Sequence, residues 1–141
     1  RLLTHEMSYQ NHVSSLSAYA ALPSGPVHAD AFRNNVMFDG AQLSGVFDFY
    51  FAGVDRWLFD LGVCINDWCV DLDTGVLDHL RFEAMLHAYQ QVRPLSAAER
   101  SLLNPMLRLS QQVVKIAMSY YSYWFRLLQS ATITYLHNIF C

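Results

Sequence analysis

The chain has 141 residues, the length of one domain and enough to bury a sizeable core. Apolar residues make up 53% and charged residues 15%, a balance that implies a piece of something larger or a domain with one face covered. A net charge of −3 leaves no basic footprint for nucleic acid and no polybasic patch for a membrane surface.

The first residues, Arg1 to Glu6, turn polar at once and do not read as a signal peptide. The chain begins without Met, within a helical pattern, as a fragment would. Tyr9, Val13, Leu16 and Ala20 recur at helical spacing and predict an amphipathic helix that ends before Pro23. Pro23, Gly25 and Pro26 form a breaker cluster. Val36 to Phe38 and Gln42 to Phe49 are short β-type runs joined through Asp39 and Gly40, a strong hairpin-turn dipeptide. That hairpin is expected to bring Asn35, at the start of one strand, beside Asp48, at the end of its partner.

From about Arg56 the pattern becomes helical and stays so. Leu58, Leu61, Ile65, Trp68 and Leu72 make one apolar face, and Leu77, Leu80, Ala84, Ala88 and Val92 a second. Ser96 and Glu99 make a capping box that opens a third helix, which Pro105 is expected to limit or kink. Leu109, Val113, Ile116, Tyr120, Trp124 and Leu127 form a longer stripe. The apolar stretch from Val113 to Cys141 is interrupted by Lys115 and Arg126, so it reads as a buried helical pair, not a membrane span. The aromatic cluster Tyr120, Tyr121, Tyr123, Trp124 and Phe125 reads as core plus a covered interface. Cys64, Cys69 and Cys141 form no C-x-x-C pair and fit a reducing, cytoplasmic setting; Cys64 and Cys69 read as small buried hydrophobes.

The chemistry gathers between Pro26 and Tyr50. His28, Asp30 and Asn35 stand in the order H-x-D-x-x-x-x-N, with Asp48 downstream, the pattern of the catalytic loop of kinase-type phosphotransferases. A carboxylate is needed there to accept or orient the proton of a substrate hydroxyl. An amide oxygen and a second carboxylate suit Mg²⁺, which prefers hard oxygen ligands. Asp and Asn also favour turns for purely local reasons, but three of them at this spacing around a hairpin favour a site. On local grounds Asp60 reads as a helix cap. Asp67 and Asp71 read as solvated helix-face charges unless a pocket lies beside them. His5 with His12, and Cys64 with Asp67, share helical faces but supply too few convergent ligands for zinc.

His28-Ala-Asp-Ala-Phe-Arg-Asn-Asn-Val-Met-Phe-Asp39, Gly45-Val-Phe-Asp-Phe-Tyr50, Leu58-Phe-Asp-Leu61 and Asn66-Asp-Trp-Cys69 resemble the homoserine kinases of the aminoglycoside/choline phosphotransferase superfamily. The resemblance covers about residues 23 to 109 and fades after Arg108. It implies an α+β, mainly helical fold over residues 1–141: the C-terminal lobe of a protein-kinase-like enzyme, with a small β-hairpin carrying the catalytic loop among five or six helices. It also implies ATP- and Mg²⁺-dependent phosphorylation of a small-molecule hydroxyl, that of homoserine, on the way to threonine. Asp30 would be the catalytic base, Asn35 and Asp48 the metal ligands beside the nucleotide, and His28 a scaffold residue. Asp60 would brace the loop through backbone N–H groups, and Asn66, Asp67 and Trp68 would line the acceptor pocket. Ala29 stands where Gly is commoner, Ala31 where Leu is expected and Asn34 where Asp is usual. The glycine-rich loop and strand-borne lysine that clamp the nucleotide in kinases have no counterpart here, since the only lysine is Lys115. The expected partner is therefore an N-terminal lobe. The alternatives are a related kinase acting on an aminoglycoside, choline or another amino alcohol, and a non-catalytic truncated or degenerate copy.

Overall fold

The computed structural model describes residues 2–71 and 73–112. The apolar stretch from Val113 onwards, Leu72 and Cys141 lie outside the described residues. Five helices and four short strands appear in the order α1 (Leu2–Ser14), α2 (Ser17–Ala20), β1 (Ser24–Val27), β2 (Val36–Asp39), β3 (Gln42–Val46), β4 (Gly53–Arg56), α3 (Trp57–Trp68), α4 (His79–Val92) and α5, helical from residue 97 to residue 112. Two single 3₁₀ turns, Arg33–Asn35 and Phe49–Phe51, flank the β2–β3 hairpin. The architecture is α+β, with two small antiparallel sheets set among helices.

α3 lies at the centre. Leu58, Leu61, Gly62, Val63, Ile65 and Asp67 are all buried on it, so apolar side chains leave it in most directions. Leu58, Leu61 and Ile65 join Val13 of α1, Leu22, Cys69, Leu95, and Leu102 and Met106 of α5 in one core. Burial of this kind, at about 25 cal/mol per Å² of apolar surface, is the main favourable term in folding. α5 opens with the expected capping box: Glu99 N–H donates to Ser96 Oγ at 3.2 Å, and Ser96 N–H donates to Glu99 Oε2 at 2.8 Å. The helix continues through Pro105, which neither ends nor limits it within the described residues.

Three local expectations are corrected. The first helix is split at Ser15 and Leu16. Ser14 and Ser15 donate their hydroxyls to the carbonyls of Asn11 and His12, a local bond that competes with helix continuation. The breaker cluster forms strand β1, paired antiparallel with β4 from Ser24↔Arg56 to Val27↔Gly53. Pro26 is tolerated because a two-stranded ribbon has free edges, and Gly25 is needed because a Cβ there would meet the Trp57 indole at 2.6 Å. On α4 the packed residues are Phe82, Met85, Leu86 and Tyr89, whereas Leu80 and Val92 are exposed. Asp78 caps the helix through Leu80 and Arg81 N–H, and the larger side chains win the inward face because they bury more area.

The hairpin differs from expectation only in detail. Asp39 pairs with Gln42, so the turn is Gly40–Ala41, and β3 stops at Val46, two residues before Asp48. A register irregularity lies between Met37 and Phe38.

Candidate functional site

The loop from His28 to Asn35 runs over α3 between β1 and β2. Its first bend is made by Ala29, held at φ 61°, a left-handed conformation that costs an L-residue about 1–2 kcal/mol. Asp60, in the first turn of α3, lies directly beneath. Its Oδ1 accepts from Ala29 N–H at 2.7 Å and its Oδ2 from His28 N–H at 3.3 Å. A glycine at position 29 would take the same geometry without the steric cost.

His28 ties the loop to the hairpin. Asp30 N–H donates to its Nδ1 at 3.2 Å, so the proton resides on Nε2, which donates to the Phe47 carbonyl at 3.0 Å. The ring also packs against Phe49, with centroids 4.6 Å apart. These bonds fix one tautomer and leave neither ring nitrogen free.

Asp30 is 3% exposed. The Asn35 Nδ2 donates to its main-chain oxygen at 2.8 Å and to its Oδ2 at 3.0 Å. Asn35 is itself buried, and its carbonyl accepts from Phe47 N–H at 3.1 Å. With the amide nitrogen committed to Asp30, the side-chain oxygen is the end of Asn35 that suits a cation. Asp48 follows Phe47, exposed and in the left-handed region at φ 61° and ψ 64°. Burial pushes the Asp30 carboxyl above the usual aspartate range. The Asn35 bond opposes the shift, and the negative charge of Asp48 reinforces it. Asp30 and Asp48 thus act on each other electrostatically, and among the described residues neither makes an ion pair. The Asn35 amide oxygen and the Asp48 carboxylate are hard oxygen donors of the chemical kind that Mg²⁺ prefers.

The other expected site residues all have partners within the chain. Asn66 donates through Nδ2 to Gly62 O, Leu107 O and Ser110 Oγ, joining α3 to α5. Asp67, expected as a solvated charge or an acceptor contact, is buried at 3% exposure. Its Oδ2 accepts from Arg33 N–H at 2.7 Å and Arg33 Nε at 3.2 Å. Trp68 donates its Nε1 to Ala31 O at 3.0 Å and meets Phe38 edge-on. Asp71, by contrast, is exposed, and its side chain accepts from Asp73 N–H and from the Thr74 N–H and hydroxyl of its own turn. Arg33 is the residue that sequence reasoning passed over: its position inside the motif was the available signal, and its partner 34 residues away was not.

A family model described as "Phosphotransferase enzyme family" matches residues 9–115. The chain belongs to the phosphotransferase enzyme family. Within it, the chain is 55% identical over 107 residues to a homoserine kinase of Polaromonas naphthalenivorans (strain CJ2), covering 76% of this chain and 34% of the relative. It is 56% identical over 108 residues to a homoserine kinase of Janthinobacterium sp. (strain Marseille), covering 77% and 34%. A third homoserine kinase, from Ralstonia pickettii (strain 12J), is 54% identical over 113 residues, covering 76% and 34%. The chain spans about a third of the length of the curated relatives it matches. Among the described residues no helix is long and apolar enough to cross a membrane.

Proposed function

We propose that this chain is the C-terminal, acceptor-side lobe of a cytoplasmic kinase that transfers the γ-phosphoryl group of ATP to the hydroxyl of L-homoserine. The observation that carries the reading is the buried Asp30, hydrogen-bonded by Asn35 and facing the charge of Asp48, within a chain about 55% identical to homoserine kinases. The free thiols of Cys64 and Cys69 support a reducing compartment.

Asp30 is the catalytic residue in this reading. Its carboxylate accepts a hydrogen bond from the acceptor hydroxyl, aligns that oxygen for in-line attack and takes up the proton as the new O–P bond forms. Asn35 orients Asp30 through Nδ2 and presents its oxygen, with the Asp48 carboxylate, as the groups that would hold Mg²⁺. A Mg²⁺ ion held there would neutralise charge on the nucleotide phosphates. His28 ties the loop to the hairpin at Phe47 and Asp60 ties it to α3, so the carboxylate is placed before substrate arrives, and such preorganisation is where phosphoryl-transfer enzymes gain most of their rate.

The test is homoserine-dependent ADP formation by a polypeptide that carries this chain together with the upstream lobe its relatives possess. Mg²⁺-dependent turnover that falls about 100- to 10,000-fold in Asp30→Asn, the usual worth of a general base, is expected. Undiminished turnover in that variant would overturn the assignment of Asp30. Turnover with choline or an aminoglycoside but not homoserine would overturn the acceptor.

A further inference from the structure

We infer that Asp67 and Arg33 are a positioning pair for the catalytic loop, a second strap that sets Asn35 as Asp60 sets Ala29. The inference rests on the reading of Asp30, Asn35 and Asp48 as a phosphotransfer site.

Asp60 and Asp67 are seven residues apart, two helical turns, and so project from the same face of α3. Cys64 sits between them, and its thiol is pushed up to about 12 by burial and by the charges of both carboxylates. One carboxylate holds the loop where it enters, at His28 and Ala29. The other holds it where it leaves, at Arg33. Trp68, next to Asp67, holds the middle through Ala31 O.

The second strap is built at a cost. Asp67 has a side chain only 5% exposed, and a buried carboxylate is tolerated only when paired. Its one ion-pair partner among the described residues is Arg33, whose Nη2 is buried without a hydrogen-bond partner among them. Arg33 opens the 3₁₀ turn Arg33–Asn35, and in that turn Asn35 N–H donates to Phe32 O at 2.9 Å. Fixing the Arg33 N–H therefore fixes the backbone from which the Asn35 amide reaches Asp30. An acceptor contact for Asp67 fits less well, because its side chain is only 5% exposed and its Oδ2 is already occupied twice by Arg33.

The kinetic test uses Asp67→Asn in the polypeptide with its upstream lobe. The substitution keeps an oxygen for Arg33 N–H but loses the charge. The expected result is a kcat about 10- to 100-fold lower with a raised Mg²⁺ requirement, the range for loss of an outer-shell partner of a metal ligand, while the acceptor KM stays within about twofold. A raised acceptor KM with kcat unchanged would make Asp67 a substrate contact and overturn the inference, as would no change in either constant. If Asp67→Asn does not fold, the double variant Asp67→Asn/Arg33→Gln, which removes both charges, carries the same expectations.

A second readout needs no activity. By amide hydrogen exchange on this 141-residue chain, the backbone N–H of residue 33 should lose about tenfold of its protection in Asp67→Asn or in the double variant, because a neutral amide oxygen accepts more weakly than a carboxylate. Ala29 should keep its own, and the Asn35 side-chain amide resonances should move. Unchanged Arg33 and Asn35 signals would sink the strap. Absence of kinase turnover in the parent polypeptide would sink the functional reading alone.

Discussion

Asp60→Ala removes the anchor beneath the first bend of the loop, and its cost can be worked from the structure. The carboxylate accepts one short bond, 2.7 Å from Ala29 N–H, and one long bond, 3.3 Å from His28 N–H. A hydrogen bond to a charged acceptor contributes about 1.5–3 kcal/mol, and a bond near the upper distance limit adds only a fraction of that. Against this, Ala29 is freed from a left-handed φ of 61°, which returns about 1–2 kcal/mol once the loop relaxes. The net loss is about 1 kcal/mol, or about 3–4 °C in Tm for a chain of this size. Urea unfolding measures it as a fall in midpoint at constant slope. Amide exchange should show the lost protection concentrated at His28 and Ala29. A loss below about 0.5 kcal/mol, with Ala29 still protected, would refute the idea that Asp60 holds the bend.

Ala29→Gly should raise stability by about 1 kcal/mol, because glycine takes the left-handed bend without the Cβ penalty; thermal unfolding reads the gain. Gly62→Ala should cost about 1–3 kcal/mol despite better helix propensity, since the new Cβ would lie 2.6 Å from Ser110 Oγ and 3.4 Å from Met106 O across the α3–α5 contact; urea midpoints check it. Glu99 is fully buried. Burial alone would raise its carboxyl, but the Arg93 and Ser96 bonds prevail and hold it below the usual glutamate range. Its stabilisation is therefore present above the ordinary glutamate pKa and lost as pH falls through the lowered value, so Glu99→Gln should flatten the acid limb of stability against pH. Asp30 has the opposite shift: folding favours its protonated form, and the ionised form that the proposed mechanism requires appears only as pH rises through the raised value. The acid limb of kcat/KM should lie above the ordinary aspartate range, and removal of the Asn35 bond in Asn35→Ala should move it higher.

Much of this was legible in the sequence because the chemistry is local. His28, Asp30 and Asn35 lie within one loop, and the hairpin that brings Asp48 back towards Asn35 is announced by two β-type runs and a turn. The Ser96–Glu99 capping box is equally local. The parts that sequence reasoning missed depend on partners far along the chain. Strand β1 looked like a turn because Pro23 and Pro26 break regular structure, and only the distant pairing with Gly53–Arg56 makes it a strand. The inward face of α4 was misassigned because its sequence carries two apolar stripes. Packing, not periodicity, chose Phe82, Met85, Leu86 and Tyr89. Asp67 resembled a solvated helix-face charge, since nothing in the sequence says that Arg33 lies against it.

The central claim is that Asp30, Asn35 and Asp48 form the metal- and nucleotide-facing half of a kinase site. Calorimetric titration of this chain with ATP, with and without Mg²⁺, beside Asp48→Asn, tests it most directly. The account predicts saturable binding that requires Mg²⁺ and is lost in the variant. No Mg²⁺-dependent binding, either by the folded chain or by the polypeptide that includes the upstream lobe, would contradict it.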